Sequence, residues 1–333
     1  MENQQTQPVI SRPDMAVVEN YKYKIYKPTR IVVLGDPNDP VTKRMEQFCD
    51  LLQGHLPSLD VKNETSEEDE RPAIFIYPNI RFSAVPEGKL LELFLMCAAG
   101  MVPMEEAEAG VSAADIQNRI QMPGVVRVYV SPVCPHCPGA LGRWLYMAAW
   151  APDRVDLHVI DAAVFSESAA RDNVKSVPTA ILDDQFRWTG VVAVAELLDI
   201  FEKRNPADLS ADTVKKIISD GDAEGLAALM AGANSVIPGF LDLLAHPKWP
   251  TRLGAMVAFE YLAETAPDLA RQALEAMWNR FTALDDAVKG DMIHLFGVLN
   301  DSEFAGGRLE SVINGDYSQA VREIAEEVLG DLA

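Results

Sequence analysis

The stretch VYVSPVCPHCPGALGRW, residues Val128–Trp144, decides how this chain is read. Val128–Val130 close an apolar run that predicts a buried strand, and Cys134-Pro135-His136-Cys137 follow where a helix is expected to begin. A cysteine at a helix N-terminus faces unpaired backbone N–H groups and the positive end of the helix dipole. Both favour thiolate, the attacking form of sulfur, so Cys134 is the expected nucleophile. Cys137 lies one helical turn on, where it can close a ring with Cys134 and release a mixed-disulfide partner. Pro135 is tolerated in a first turn because its missing N–H has no helical partner there. His136, protonated or donating a hydrogen bond, would stabilise the thiolate further and make the pair more oxidising.

The same spacing is also half of a zinc site, which needs about four ligands. The other two cysteines, Cys49 and Cys97, stand alone in apolar helical patterns and read as buried structural thiols. No second CxxC and no HxxxH occurs, and His55, His158, His246 and His294 show no ligand spacing. The stronger reading is a thiol–disulfide redox centre, with no metal expected.

With 333 residues and 48% apolar content, the chain is long enough for two or three domains with sizeable cores. A net charge of −21 argues against nucleic acid and against anionic membrane surfaces. The chain opens MENQQTQPVISRPDM, without a signal-type segment, and carries no apolar run of the roughly eighteen residues that a spanning helix needs. The expected location is cytoplasmic, where a CxxC is more often catalytic than structural.

In chain order, residues 1–28 read as a polar N-terminal tail, either loose or docked as an edge segment. Residues 29–101 read as a small αβ unit: a strand at Ile31–Leu34, a helical face of Val41, Met45, Phe48, Cys49 and Leu52, and a charged loop, Asn63–Arg71. A strand at Pro72–Ile76, a short strand near Arg81–Ala84 and an apolar helix at Glu87–Ala99 complete it. Its first turn, GDPNDPV, has no cysteine. Residues 102–123 form a linker, and 124–204 repeat the strand–helix order with the cysteines present. There Val177-Pro178-Thr179 opens a strand about forty residues beyond the CxxC. A proline at that place in a thioredoxin fold adopts the cis form beside the disulfide, and its missing N–H leaves neighbouring backbone free for a substrate strand; the other reading is a plain loop proline.

Two stretches carry a family resemblance: VCPHCPGALGRWLYMAAWAPDRVDLHVIDAAVFSESAARDNVKSVPTAILDDQF and, upstream, RPAIFIYPNIRFSAVPEGKLLELFLMCAAG. They resemble the N-terminal module of the bacterial alkyl hydroperoxide reductase flavoprotein subunit and the glutaredoxin-like protein disulfide oxidoreductases. The resemblance covers roughly residues 30–203. It implies a tandem thioredoxin fold whose first half has lost its cysteines, and a reductase or peroxidase-type partner. Flavin and pyridine-nucleotide domains are absent and no GxGxxG occurs, so no cofactor is expected. The resemblance also implies an acidic residue near the thiols, ten positions before the proline. Ser168 stands there, and its neighbour Glu167 is the candidate proton relay, with a solvated surface glutamate as the other reading.

Residues 205–333 lose all strand character. Arg252, Lys289 and Arg322 each open a helix, at spacings of 37 and 33 residues. Ala255, Met292 and Ala325 follow at +3, Phe259, Phe296 and Leu329 at +7, and Leu262, Leu299 and Leu332 at +10. This resembles HEAT-type helical repeats, which stack into protein-binding solenoids. The region holds 9 basic and 21 acidic residues, a groove for a basic partner or simply an ordinary wet face. Trp249 and Trp278 read as packing residues, and either one exposed would mark a binding face.

The expectation is an α/β tandem thioredoxin-like fold followed by an all-α HEAT-like domain. Cys134 attacks, Cys137 resolves, His136 and Pro135 shape the motif, and Val177, Pro178 and Thr179 frame a protein disulfide or dithiol substrate. The alternative is a redox-sensitive adaptor whose helical repeats carry the main binding function.

Overall fold

The structure, a computed structural model, describes residues 10–65 and 71–332. The chain divides into two compact units, Met1–Lys203 and Arg204–Ala333.

The first unit opens with a helix, α1 (Arg12–Tyr21), in place of the expected polar tail. Ser11 caps it, and Val18, Tyr21 and, beyond its end, Ile25 are buried. That i, i+3, i+7 spacing makes one apolar stripe, which packs against the helices α2 (Pro40–His55) and α3 (Lys89–Ala98). Of the two readings of this segment, the loose tail fails and the docked one holds, as a helix and not an edge segment; the polar residues between those positions mask the stripe. Residues 1–9 of that segment lie outside the described residues, as do residues 66–70 of the charged loop.

Before α2 comes β1 (Thr29–Leu34), and after it β2 (Leu59–Glu64), β3 (Ala73–Tyr77) and β4 (Ile80–Ser83). Asn63 and Glu64, read as loop, are strand residues. The strand LDVKNE buries only Leu59 fully, so it carries no period-two signal. After α3, two short helices, α4 (Glu106–Ala109) and α5 (Ala113–Arg119), lead into the second half. There the order is β5 (Gly124–Val130), α6 (Cys137–Trp150), β6 (Val155–Asp161), α7 (Ser166–Arg171), β7 (Thr179–Leu182), β8 (Phe186–Thr189) and α8 (Val194–Lys203).

Among the described residues eight strands form one sheet, ordered β2-β1-β3-β4-β6-β5-β7-β8. Each half repeats one pattern: a parallel pair (β1 with β2, β5 with β6) followed by an antiparallel hairpin (β3 with β4, β7 with β8). The halves meet through a parallel pairing of β4 with β6, Ile80 opposite Leu157. This is an α/β thioredoxin-like sheet present twice over.

One buried side chain ties the halves together. Asn79, in the turn before β4, donates from Nδ2 to Ala148 O and Val155 O, each at 3.0 Å. The two carbonyls belong to the end of α6 and the start of β6, so a first-half asparagine satisfies second-half backbone that is closed to water.

The second unit is all helical: α9 (Ala211–Ser219), α10 (Ala223–Ala233), α11 (Pro238–Leu244), α12 (Trp249–Thr265), α13 (Pro267–Trp278), α14 (Asp286–Leu299), α15 (Ser302–Ile313) and α16 (Gln319–Asp331). Its core includes Phe240, Phe259, Phe281 and Phe296. Arg252 is buried on α12, pairing with Asp291 of α14 and donating to His246 O and Pro247 O. Lys289 reaches Asp286, and Arg322 is exposed. The three basic residues at matched positions therefore have three different surroundings. Trp278 stacks on Phe281 and meets Phe296 edge-on, whereas Trp249 is 56% exposed.

Asn79→Ala should destabilise the first unit by about 2 kcal/mol, because two buried carbonyls lose their side-chain donor. Chemical denaturation of the full chain checks this; an unchanged midpoint would contradict it.

Candidate redox site

β5 is buried at all seven positions and ends at Val130, so the next residues emerge at the C-terminal edge of the sheet. A turn closed by Cys134 N donating to Ser131 O (3.1 Å) carries the chain to α6. The helix begins at Cys137, capped by His136. This corrects the expected placement. Cys134 and Pro135 lie ahead of the helix, and the proline inside its first turn is Pro138. His136 is exposed and makes no side-chain hydrogen bond at the cap.

The two sulfurs differ sharply in access. Cys134 is half-buried, while Cys137 is fully buried. Burial pushes the Cys137 thiol up to about 12, helped by a hydrogen bond that its S–H gives to the Cys134 sulfur and by the charges of Cys134 and Asp161. A backbone hydrogen bond at Ser131 works in the opposite direction. Cys137 thus stays protonated at neutral pH. Burial raises Cys49 and Cys97 as well, Cys97 to about 12, in line with buried structural thiols in the first half.

β7 runs antiparallel to β5 with Tyr129 opposite Thr179, which sets the segment before β7 against the cysteine turn. The Val177–Pro178 peptide bond is cis. Cys134 Sγ donates to Val177 O at 3.5 Å, and Val177 N–H makes no backbone hydrogen bond among the described residues. Pro178 O is taken by Gly190 N at 2.9 Å. Thr179 is buried and donates from Oγ1 to Ser176 O at 2.7 Å. The structure therefore brings Cys134, Cys137, Val177, Pro178 and Thr179 together, with Pro135 and His136 on the exposed side of the turn.

Glu167 stands apart from this set. It is exposed on the first turn of α7, with no hydrogen bond or ion pair among the described residues. The carboxylate that acts on Cys137 belongs to Asp161, buried at the end of β6 opposite Val130. Asp161 Oδ1 accepts from Ala163 N (2.8 Å) and Val164 N (3.2 Å). Asp161 also lines a cleft of about 490 Å³ together with Pro132, Val164, Val85 and Met45. Sequence reasoning missed it. Its one signal is position, since a strand-end residue beside the strand that leads into CxxC must lie near the motif. A second missed feature is Val133, 90% exposed immediately before the nucleophile.

Among the described residues no group of His, Cys, Asp and Glu could hold a metal ion. No helix there is long and apolar enough to cross a membrane.

A strand–CxxC–helix with a cis proline opposite defines a thioredoxin-fold domain. The thioredoxin domain family model matches residues 125–202. A thioredoxin from Methanocaldococcus jannaschii is 27% identical over 79 residues, 24% of this chain and 93% of that protein. Two solved structures from Enterococcus faecalis are similar in fold. A mutant of the alkylhydroperoxide reductase AhpF has a TM-score of 0.50 at 15% identity, covering 58% of this chain and 100% of that one. The NTD N/C domain of the same protein has 0.50 at 16% identity, covering 58% and 99%. At these identities the likeness speaks for the fold.

In the reduced chain, Cys134 should be alkylated well before Cys137 at pH 7–8. The Asp161→Asn substitution removes a charge that raises the Cys137 thiol, so in a Cys134→Ser background Cys137 alkylation should rise at lower pH than with Asp161 present. Overlapping pH profiles would show that Asp161 does not act on Cys137.

Proposed function

We propose that the chain is a thiol–disulfide oxidoreductase acting through Cys134 and Cys137 on protein substrates. The observation that carries this reading is the asymmetry of the pair: an accessible sulfur facing Val177 O, backed by a buried one held as thiol. In the reducing direction the Cys134 thiolate attacks one sulfur of a substrate disulfide. A mixed disulfide forms and the first substrate thiolate leaves. Cys137 then loses its proton and attacks Cys134, releasing the second substrate thiolate. Two electrons pass from the dithiol to the substrate, and both substrate sulfurs leave as thiols after protonation. The oxidising direction is the reverse. The buried Cys137 delays ring closure until its proton can leave, which lengthens the life of the mixed disulfide.

The free N–H and the accepting carbonyl of Val177 suit an extended substrate segment, and Val133 supplies an apolar contact beside the nucleophile. Glu167 as relay has less support than Asp161, on the charge acting at Cys137. A cytoplasmic location and a reductase or peroxidase-type partner belong to this reading.

The helical unit, read as HEAT-like repeats, would recruit the partner. The supporting feature is an outward stripe on α12, where Trp249, Leu253 and Tyr261 are exposed at i, i+4 and i+12 with half-buried Val257 between them. Aromatic side chains on an open helix face are the residues that most often anchor protein interfaces. The same stripe supports the second reading, an adaptor in which the thiols act as a redox-sensing latch.

Cys134→Ser should abolish insulin reduction by the dithiothreitol-coupled assay, and Cys137→Ser should accumulate a mixed disulfide that resists resolution. Undiminished activity in Cys134→Ser would sink the oxidoreductase reading. If a triple variant, W249S/L253S/Y261S, keeps model-disulfide reduction but loses turnover on a physiological partner, recruitment belongs to α12. Equal turnover on that partner would exclude α12.

A further inference from the structure

A cluster of guanidinium groups lies beside α7, and the dithiol chemistry does not use it. Arg71 precedes β3 and Arg171 ends α7. Arg71 Nη1 and Arg171 Nη2 both donate to one acceptor, Ser168 Oγ, at 3.2 and 3.4 Å. Neither pairs with a carboxylate among the described residues. Two of the carboxylates beside α7 are engaged: Asp172 accepts from Arg127 (2.8 Å) and from Tyr129 (2.7 Å), and Asp184 pairs with Arg127, while Glu167, exposed one turn before Arg171, makes no ion pair with it. Arg71 Nε is buried with no acceptor.

In a chain of net charge −21, two cations converging on one neutral hydroxyl are anomalous. A partly buried guanidinium normally keeps its charge by meeting a carboxylate, a phosphate or water. Here desolvation lowers the Arg71 pKa, with the charges of Arg171, Arg81 and Arg127 adding to it and Tyr129 working against them. The fork of an arginine fits a tetrahedral oxyanion better than it fits a hydroxyl, because two N–H groups can reach two oxygens at once.

We infer that Arg71, Arg171 and Ser168 form a binding site for a phosphoryl-type oxyanion, either free phosphate or the phosphate of a small ester. The anion bridges Arg71 and Arg171 and accepts from the Ser168 hydroxyl, supplying the negative charge that neither arginine meets among the described residues. Arg171 is exposed and gives the approach from solvent, while Arg71 and Ser168 form the inner wall. The site is independent of the cysteines, so it stands whether or not the oxidoreductase reading does.

The test uses the full chain, with thermal unfolding followed across a titration of inorganic phosphate. Sodium chloride holds the ionic strength constant, and a second arm uses glycerol phosphate. The wild type should show a saturable rise in melting temperature in the millimolar range. A lower half-saturation for the free ion identifies phosphate as the ligand, and a lower one for the ester identifies a phosphomonoester. Arg171→Gln, at an exposed position, should raise the half-saturation about tenfold or more, the loss of one charge-assisted contact. Lys175→Gln removes an exposed charge four residues away and should leave the titration unchanged. Ser168→Asp places a carboxylate in the site and should melt higher in chloride while losing its response to phosphate. No saturable shift in the wild type, or the same half-saturation in Arg171→Gln, overturns the inference.

Discussion

β5 holds the first unit in register. All seven of its residues are buried, and it pairs in parallel with β6 on one side and antiparallel with β7 on the other. A strand closed on both faces must satisfy every backbone group through its neighbours, so its register cannot drift without exposing a core face. That constraint fixes where Val130 ends, and therefore where the cysteine turn leaves the sheet. The antiparallel pairing puts the approach to Thr179 beside that turn, and the parallel pairing puts Asp161 there. Three separate segments meet at the thiols because one strand dictates all three positions. Even the one charged residue of β5 obeys the rule: Arg127 is buried with Asp172 and Asp184 meeting its guanidinium.

What the sequence disclosed follows the strength of its local signals. β5, α6 and the proline before β7 are marked by an unbroken apolar run, a paired-cysteine motif and a Val-Pro at a telling distance, and the structure brings these residues together. The β2 strand was illegible because an edge strand with one buried residue has no alternation to read. The helix α1 was hidden by charged residues between its apolar positions. At the site, sequence reasoning started the helix at the CPHC motif and put Pro135 in its first turn; the backbone starts it at Cys137, with Pro138 inside. Asp161 was invisible for a different reason. Its importance comes from the strand beside it, and a neighbour across a sheet leaves no mark on local pattern. Ser168 was noticed as a departure from the related module, but its two arginine partners come from segments 97 and 3 residues away, and only folding joins them.

The two halves of the sheet show how one architecture supports different duties. In both, a parallel pair carries a helix on one face and a hairpin extends the sheet. In the first half the turn entering α2 is capped by Asp39, whose carboxylate accepts from Val41 N and Thr42 N. The helix start is thus closed with a side chain of its own. In the second half the corresponding turn carries the thiols, and His136 leaves the cap without a side-chain bond. The same geometric position is a finished helix end in one copy and an open, reactive one in the other.

The parallel seam between β4 and β6 bears on biosynthesis. Its partners, Ile80 and Leu157, are 77 residues apart, and Asn79 reaches across the same gap to Val155. While the ribosome is still producing the stretch between them, β4 is an unpaired edge next to a largely formed half-sheet. Distant pairings of this kind form late and slowly. The nascent first half must therefore wait with one flank open, and a half-made chain is most exposed to sticking to its neighbours in the interval before residues 155–161 emerge.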